Sequence, residues 1–451
     1  MHRTVLLPAL ASLLIPGRAG AQAEGKVAFA RDIAPILQTK CVTCHGPEKQ
    51  RGNYRLDSFE ALLKPGASKR APVVPGNPAS SHLFELLTAK DADDRMPQKD
   101  DPLPAAHLAL VGRWIREGAA FDAADRRAPL AAIIPRAPHP EPPAAYKLPL
   151  PVLALAFSPD GAQLASGGYN EVLLWNADDG KLLRRIRGVA QRTHALAWSP
   201  DGALLAVAGG DPGQLGELAL IDTKKGELAR VLATLPDVVL DAKFSPDGSR
   251  LAIGGTDNSI RVIEVAGGRE PLRIDQHADW VMAVAWNHDG SQLASASRDR
   301  SARLFNAKTG AIEHSYLGHN AGVSAVAFSP DGRTVYSAGR DKKIHAWAAK
   351  DAQKISEITG FDDDILRLVV AGGSVWTCGS DKQLRQHALQ GASLVRAYSG
   401  HADWVYSVAV HPATKRVATG SHDSRVRMWN SDDGTLVTEF SASPGLPAAG
   451  R

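Results

Sequence analysis

Two cysteines and a histidine lie within one pentapeptide of this chain, Cys41-Val42-Thr43-Cys44-His45. The pattern C-x-x-C-H is the attachment signature of c-type haem. Because two residues separate the thiols, both can reach the vinyl groups of one haem from a single helical turn, and the adjacent imidazole can bind the iron. The sequence therefore predicts one covalent haem c on Cys41 and Cys44, with His45 as an axial ligand of the iron.

Other chemistries of a cysteine pair fit this sequence less well. A redox dithiol of the thioredoxin kind needs a βαβ context, which the surrounding sequence lacks. A zinc site needs a second pair of ligands nearby, but the third and last cysteine, Cys378, is far away in the chain. We interpret Cys378 as a small buried hydrophobic residue.

The second axial ligand is predicted from the positions of the four methionines. One is the first residue and two lie inside repeats described below, which leaves Met96 near the haem motif. Pro97 disfavours helix at Met96 and indicates a loop. A thioether there would complete His/Met coordination, which raises the reduction potential and suits electron transfer. His82 and His107 are the alternative ligands.

Two segments around the motif have apolar residues at helical spacing. Phe29 to Lys40 leads directly into the motif, and Ala105 to Glu117 follows Met96 in the chain. Together they predict a small all-α domain in which the haem forms much of the core.

The segment from Val27 to Asp122 resembles the planctomycete-type cytochrome c module, a class I-like domain. The resemblance rests on Arg31-Asp32-Ile33-Ala34-Pro35-Ile36-Leu37, Cys41 to Gly46, Tyr54 to Ser58, Val73 to Pro78, Arg95-Met96-Pro97, Trp114-Ile115 and Gly118-Ala119. It implies His45 and Met96 as the axial ligands. The chain departs from the family at Gln98, where a second proline often stands.

Self-similarity begins at Val152, where a Ser-Pro-Asp-Gly type of turn recurs. The aspartates of these turns are 41, 46, 42 and 42 residues apart, at Asp160, Asp201, Asp247, Asp289 and Asp331. WD-repeat blades have a period of about 40–45 residues. Two degenerate copies follow, so the sequence predicts an all-β propeller with seven blades of four strands each.

The repeats resemble WD40 repeats in Gly318-His319, Gly400-His401 and three third-strand tryptophans, Trp175, Trp347 and Trp429. The resemblance implies a structural hydrogen-bonded tetrad within a blade. Repeat five carries the full set His319, Ser337, Asp341 and Trp347, and repeat seven carries His401, Thr419, Asp423 and Trp429. Repeat four has His277, Ser295 and Asp299, with Phe305 in place of tryptophan. We therefore interpret these histidines as structural.

Five residues next to the tetrad positions are candidates for protein docking. Aromatic and arginine side chains ringed on one face are typical of interaction hot spots, and the candidates are Trp280, Trp404, Arg298, Arg340 and His422. The alternative is that the tryptophans are packed and the arginines only solvated.

The sequence predicts four segments: a signal peptide over 1–23 that is cleaved after Ala21-Gln22-Ala23, a cytochrome c domain over 24–122, a Pro-rich linker over 123–151 and the propeller over 152–445. The alternative for the first segment is a buried helix or a retained anchor. The apolar run is short for a membrane span, and no later segment is long enough. We expect a periplasmic or otherwise exported protein.

The formal net charge of +4 is small, and no Lys/Arg run is interleaved with aromatics, which argues against a nucleic-acid partner. The favoured function is electron transfer through haem c, with the propeller docking a redox partner. Two alternatives stay open: an enzyme in which haem c feeds a catalytic site on the propeller, and a haem-based sensor or scaffold with an open sixth position. Whether the propeller closes by strand exchange with Tyr146 to Leu150 is also open.

Overall fold

The computed structural model describes residues 26–47, 49–98, 101–135 and 138–446. The predicted signal peptide lies outside the described residues. The chain divides into two compact units between residues 137 and 138, inside the segment predicted as linker. None of the helices in the described ranges has the length and apolar character needed to cross a membrane.

The first unit is helical. Its described residues form a π-helical turn at Phe29–Ile33 and short 3-10 turns at Arg51–Asn53 and Pro78–Ser80. They also form six α-helices: α1 Ala34–Lys40, α2 Val42–His45, α3 Phe59–Leu62, α4 His82–Leu87, α5 Ala105–Arg116 and α6 Leu130–Ile133. Buried apolar residues from all parts of the unit form one core.

Aromatic rings form the centre of this core. The ring of Phe29 lies edge-on to that of Phe59, with centroids 4.8 Å apart, and Trp114 of α5 packs beside both. Helix α5 crosses α4 at Gly112, where a Cβ would lie 2.9 Å from Cζ of Phe84. The two helices can therefore pack this closely only because residue 112 has no side chain.

The predicted linker begins with structured residues. Leu130 of α6 is fully buried in the core of the first unit, and its backbone N–H donates to the Asp57 carbonyl at 2.8 Å. Residues 123–135 thus complete the helical unit, although their Ala/Pro-rich composition indicated a tether.

The second unit is a β-propeller of antiparallel sheets, each built from strands in chain order. One seven-stranded sheet comprises β1 Leu155–Phe157, β2 Gln163–Gly167, β3 Tyr169–Asn176, β4 Leu182–Trp198, β5 Leu204–Asp211, β6 Leu215–Asp222 and β7 Glu227–Leu235.

Five four-stranded sheets follow. They are β8 Val239–Phe244, β9 Arg250–Gly255, β10 Ile260–Glu264 and β11 Leu272–Ile274; β12 Val281–Trp286, β13 Gln292–Ser297, β14 Ala302–Asn306 and β15 Ile312–Tyr316; β16 Val323–Phe328, β17 Thr334–Gly339, β18 Ile344–Ala348 and β19 Lys354–Ile358; β20 Ile365–Ala371, β21 Ser374–Gly379, β22 Leu384–Ala388 and β23 Leu394–Tyr398; and β24 Val405–His411, β25 Arg416–Ser421, β26 Arg425–Asn430 and β27 Leu436–Ser441, with a 3-10 turn at Pro412–Thr414.

The recurring turn joins the first two strands of a sheet in four of its five copies, and the copy at 199–202 joins β4 to β5. In its first copy the Ser158 hydroxyl donates to the Asp160 carboxylate at 2.5 Å, and the backbone N–H of Ala162 donates to the same oxygen. Gly161 has a φ of +71°, which glycine adopts without steric cost. Serine, aspartate and glycine therefore recur because the turn needs a hydroxyl donor, a carboxylate acceptor and a residue that adopts a positive φ.

The prediction of seven separate blades is wrong, because five sheets of the described residues stand as separate four-stranded blades. Strand β4 is 17 residues long and pairs with β3 through its first part and with β5 through its last part. Arg192 is opposite Tyr169 on one side and Gly210 on the other. Strand β4 runs unbroken between these two pairings, so the sheet is continuous.

The ring of sheets closes between the last sheet and the first. Apolar residues of β24 to β26 share one cluster with residues of β1 to β3. The Ser407 hydroxyl of β24 donates to the Val152 carbonyl at 2.8 Å, and the Val152 N–H donates to the Ser421 carbonyl. The segment 146–150 contributes no strand, so closure occurs by packing and these hydrogen bonds.

A strap formed by residues 138–152 lies on the second unit and is held by a buried carboxylate. Glu171 of β3 is fully buried and accepts the Tyr146 hydroxyl at 2.5 Å and two donors of Arg185 at 2.7 Å. The Arg185 guanidinium also donates to the strap carbonyls of Pro143 and Ala144. Arg185 thus joins β4 to the strap while neutralising Glu171.

Arg185→Ala is expected to lower the free energy of unfolding of the propeller by about 3 kcal/mol, because it leaves a buried carboxylate without its cation. Urea unfolding followed by tryptophan fluorescence measures this. Arg187→Ala is the matched control, because its partner Glu141 is 77% exposed, and it should cost less than about 1 kcal/mol. Equal losses in the two variants would contradict the role given to Arg185.

Two histidines of the propeller, the half-buried His194 and the buried His387, predict a loss of stability in mild acid. Burial, followed by nearby arginine charges, lowers the pKa of His194 and of His387 to about 4. The unfolded value is about 6.5. The unfolded chain therefore takes up these protons first as the pH falls, so the stability is complete above pH ~6.5 and lost progressively towards pH ~4.

We expect about 1–3 kcal/mol of destabilisation per histidine across this window. Urea titrations at pH 7.5, 5.5 and 4.5 measure this loss. His387→Phe should make the free energy of unfolding less dependent on pH. A free energy of unfolding that stays constant from pH 7.5 to 4.5 would show that these side chains are not held neutral.

Candidate functional site

A cavity of about 530 Å³ in the helical unit brings together the four side chains predicted to bind a cofactor. Cys41, Cys44, His45 and Met96 all line it. Its volume lies within the range of ~300–1,000 Å³ typical of cofactor sites.

The two cysteines flank a single helical turn. Helix α1 ends at Lys40, and Cys41 lies between α1 and α2. The backbone N–H groups of Cys44 and His45 both donate to the Cys41 carbonyl, at 3.1 and 3.0 Å. This turn places both thiols and the imidazole of His45 on the wall of one cavity, as the spacing of the motif requires.

The orientation of His45 is fixed by a backbone carbonyl. Its Nδ1 lies 3.2 Å from the Tyr54 carbonyl oxygen, so Nδ1–H donates and Nε2 is the nitrogen left to bind a metal. The Tyr54 hydroxyl in turn donates to the Leu62 carbonyl at 2.9 Å. Such an outer partner orients a ligating histidine and raises its basicity.

Tyr54 was not predicted as a functional residue. Its side chain lines the cavity and its ring lies edge-on to His45, with centroids 5.7 Å apart. The one indication in the sequence was that Tyr54 belongs to the stretch from Tyr54 to Ser58, which is part of the resemblance to the planctomycete-type module.

The environment of Cys41 disfavours dithiol redox chemistry. Burial, reinforced by the neighbouring Cys44, raises the pKa of the Cys41 thiol to about 12. Reactive redox cysteines have a lowered pKa, because the thiolate is the nucleophile. Cys378 is fully buried in the propeller and its thiol pKa is also raised, mainly by burial, which accords with a packing role.

Met96 lies in the loop after α4. Its backbone N–H donates to the Leu86 carbonyl at 3.0 Å, and its side chain is half-buried against the apolar core. Of the alternative ligands, His82 lines the cavity, but its Nδ1 is 3.3 Å from the Glu85 carboxylate. His107 on α5 is not among the lining residues.

The lining fits haem c. Leu56, Leu83 and Leu87 supply an apolar wall for a flat macrocycle, and Arg51 and Arg70 supply cations suited to its propionates. The two thiols would attach the haem through thioether bonds, and the His45 imidazole and the Met96 thioether would be suited to hold its iron.

In the propeller, the tetrad side chains meet as hydrogen-bonded sets. His401 Nδ1 lies 3.1 Å from Asp423 and its Nε2 lies 2.8 Å from Thr419, whose hydroxyl also accepts from the Trp429 indole N–H at 3.3 Å. The sets around His277 and His319 have the same pattern, with Phe305 packed edge-on to His277. These residues hold strands of one sheet together.

The docking candidates form two exposed groups and one separate residue. The Arg298 guanidinium lies over the Trp280 ring, 4.2 Å from its centroid. Trp404 is 45% exposed, and Tyr406 packs edge-on to it and against His422. Arg340 lies apart from both groups, 3.8 Å from Asp364.

Comparisons with known proteins agree with this architecture. Residues 41–100 match the family model described as planctomycete cytochrome C. The model described as WD domain, G-beta repeat matches five repeats, over 146–176, 229–264, 269–306, 310–348 and 392–430. This model therefore matches five repeats and not the predicted seven, and the two long unmatched stretches between its matches are 177–228 and 349–391.

One curated relative is the small ribosomal subunit protein RACK1 of Candida albicans. It is 35% identical over 119 residues, which cover 25% of this chain and 37% of that protein. The chain therefore spans little more than a third of the length of this relative.

Proposed function

We propose that this chain, which joins a planctomycete cytochrome c domain to WD40 repeats, is an exported electron carrier with one covalent haem c and a partner-docking propeller. The observation that carries the proposal is the single cavity on which Cys41, Cys44, His45 and Met96 meet.

Haem c, when bound, supplies a one-electron couple. The chain's own residues do the rest: Cys41 and Cys44 attach the cofactor, the Tyr54 carbonyl orients His45, and the loop after α4 supplies the Met96 thioether. The leucine wall excludes water, and a His/Met ligand pair favours a high potential and a closed sixth position. This arrangement suits transfer of electrons rather than binding of a small gas.

Absorption spectra and film voltammetry of the purified full-length protein test the proposal. We expect a low-spin c-type spectrum that carbon monoxide leaves unchanged, together with a reversible one-electron wave. A spectrum that shifts with carbon monoxide would overturn the electron-carrier proposal and favour sensing or catalysis.

Export is tested separately by fractionating cells and sequencing the N-terminus of the mature protein. Cleavage after Ala23 gives a chain that begins at Glu24 and is found outside the cytoplasm. Full-length protein retained in the cytoplasm would overturn this part of the proposal.

A WD40 propeller suggests interaction with proteins, and we assign docking to an aromatic rim made of Trp280, Arg298, Trp404, Tyr406 and His422. Half-exposed tryptophans beside cationic or polar side chains are typical of hot spots. The remaining candidate, Arg340, would contribute only as a charge at the edge of the contact.

Once a redox partner is identified by in vivo cross-linking, Trp404→Ala should weaken its binding at least tenfold, a loss of about 1.4 kcal/mol or more. Calorimetry on the purified pair measures this. Ile355→Ala is the control, because Ile355 is 59% exposed on the outer strand β19. Equal affinities for Trp404→Ala and wild type would exclude the rim as the docking surface.

A further inference from the structure

In each of the five four-stranded sheets an aspartate stands two residues after the second strand, at Asp257, Asp299, Asp341, Asp381 and Asp423. The residue four positions after this aspartate distinguishes one of these sheets from the others. In three sheets this residue is an arginine that forms an ion pair with the aspartate: Arg261 with Asp257 at 2.7 Å, Arg303 with Asp299 at 3.6 Å, and Arg385 with Asp381. In the sheet of β16 to β19 the aspartate is Asp341 and the residue is His345. A tetrad explains His319 and Asp341, but it does not require a second histidine.

Both histidines of this sheet face the same carboxylate. His319 Nδ1 lies 2.7 Å from Asp341 Oδ2, and His345 Nε2 lies 3.7 Å from the same oxygen. Their ring centroids are 4.1 Å apart. All three side chains are at most 3% exposed, and their ligand atoms lie within 4.8 Å of one another.

The outer nitrogens of the two rings are held by hydroxyl groups. His319 Nε2 is 2.8 Å from the Ser337 hydroxyl, and His345 Nδ1 is 2.6 Å from the Tyr316 hydroxyl. Ligating histidines are held in this way in metal sites, where a partner on one nitrogen aims the other at the ion. The inner nitrogens, His319 Nδ1 and His345 Nε2, are therefore both directed at Asp341.

Two atoms of this group are buried without a hydrogen-bond partner, His345 Nε2 and Asp341 Oδ1. Within the described residues, the ion-pair partners of Asp341 are the two histidines, His319 and His345, whereas an arginine pairs with the aspartate in the three sheets named above. An uncompensated buried carboxylate is costly, and a bound cation would remove that cost.

We propose that His319, Asp341 and His345 form a binding site for one divalent transition-metal ion, with Zn²⁺ as the best match. Two imidazole nitrogens and a carboxylate are ligands that Zn²⁺ prefers, and bidentate Asp341 would complete four donors. When Nδ1 of His319 binds the ion, its proton moves to Nε2, beside the Ser337 hydroxyl, so the ring stays neutral. The burial of the site indicates a structural ion that stabilises this sheet.

The test uses the full-length haem-loaded protein, stripped with a chelator and dialysed against zinc sulfate, with bound zinc measured by elemental analysis. Wild type should bind one equivalent more than His345→Arg, which installs the side chain found in the other sheets. Zinc should raise the unfolding temperature of wild type but not of the variant. Equal zinc contents and equal thermal shifts would overturn the proposal and leave His345 as a packing residue.

The last sheet offers a gain-of-site variant. Arg427 stands four residues after Asp423, and Tyr398 precedes His401 by three residues, as Tyr316 precedes His319. Arg427→His should therefore add a second equivalent of zinc. If His345→Arg does not fold, His345→Gln keeps a neutral side chain that is a poor zinc ligand and should lose the same equivalent. The haem spectrum should stay constant throughout, which separates this site from the cytochrome.

Discussion

Replacing Cys41 and Cys44 together with alanine is expected to abolish covalent haem in this protein. A thioether bond forms between a cysteine sulfur and a vinyl group, so without the two sulfurs no covalent link remains. Both thiols lie at the same cavity, on one helical turn next to His45. Haem staining of the denatured protein and the pyridine haemochrome spectrum both measure this, and each signal should disappear.

The third cysteine provides the control for this experiment. Cys378→Ala removes a thiol that is 2% exposed in β21 of the propeller, and it should keep the full haem signal. Each single variant, Cys41→Ala or Cys44→Ala, should keep one thioether bond at most. Haem that survives denaturation in the double variant would mean that attachment uses another residue.

The meeting of Cys41, Cys44 and His45 at one cavity could be predicted because these residues are neighbours in the chain. Two thiols and an imidazole must lie on one turn, and a pentapeptide encodes such a turn completely. Met96 is further away in sequence, yet it could be selected because so few methionines are present. The carbonyl of Tyr54, which orients His45, could not be predicted, because any residue type offers a carbonyl and only the folded chain selects one.

In the propeller too, features fixed by neighbouring residues could be predicted, whereas features that depend on contacts between distant residues could not. Turns such as Ser158 to Gly161 are specified by their own side chains, and they gave the repeat period correctly. The count of separate blades failed at β4, where continuity depends on pairing to strands on both sides. The histidine pair around Asp341 was also missed, because the side chain of His345 meets the tetrad only through the register of β17 with β18.

Met96→His is expected to lower the reduction potential of the bound haem by on the order of 0.2 V, out of a range of ~0.8 V that axial ligands span. A thioether stabilises the reduced iron relative to a second imidazole, so exchanging one for the other favours the oxidised state. The half-buried position of residue 96, held by the Leu86 carbonyl, keeps the new side chain at the cavity. Spectroelectrochemical titration measures the shift.

Met96→Ala separates ligation by Met96 from ligation by His82. If Met96 is the ligand, its removal opens the sixth position, and carbon monoxide should bind the reduced protein and shift its spectrum. His82→Ala should leave the potential and the carbon monoxide response unchanged, because the His82 ring is engaged with Glu85. The reverse pattern, with His82→Ala opening the site and Met96→Ala silent, would assign the iron to His82. Because a bis-histidine site has a lower potential, that result would also change the class of partner with which this protein exchanges electrons.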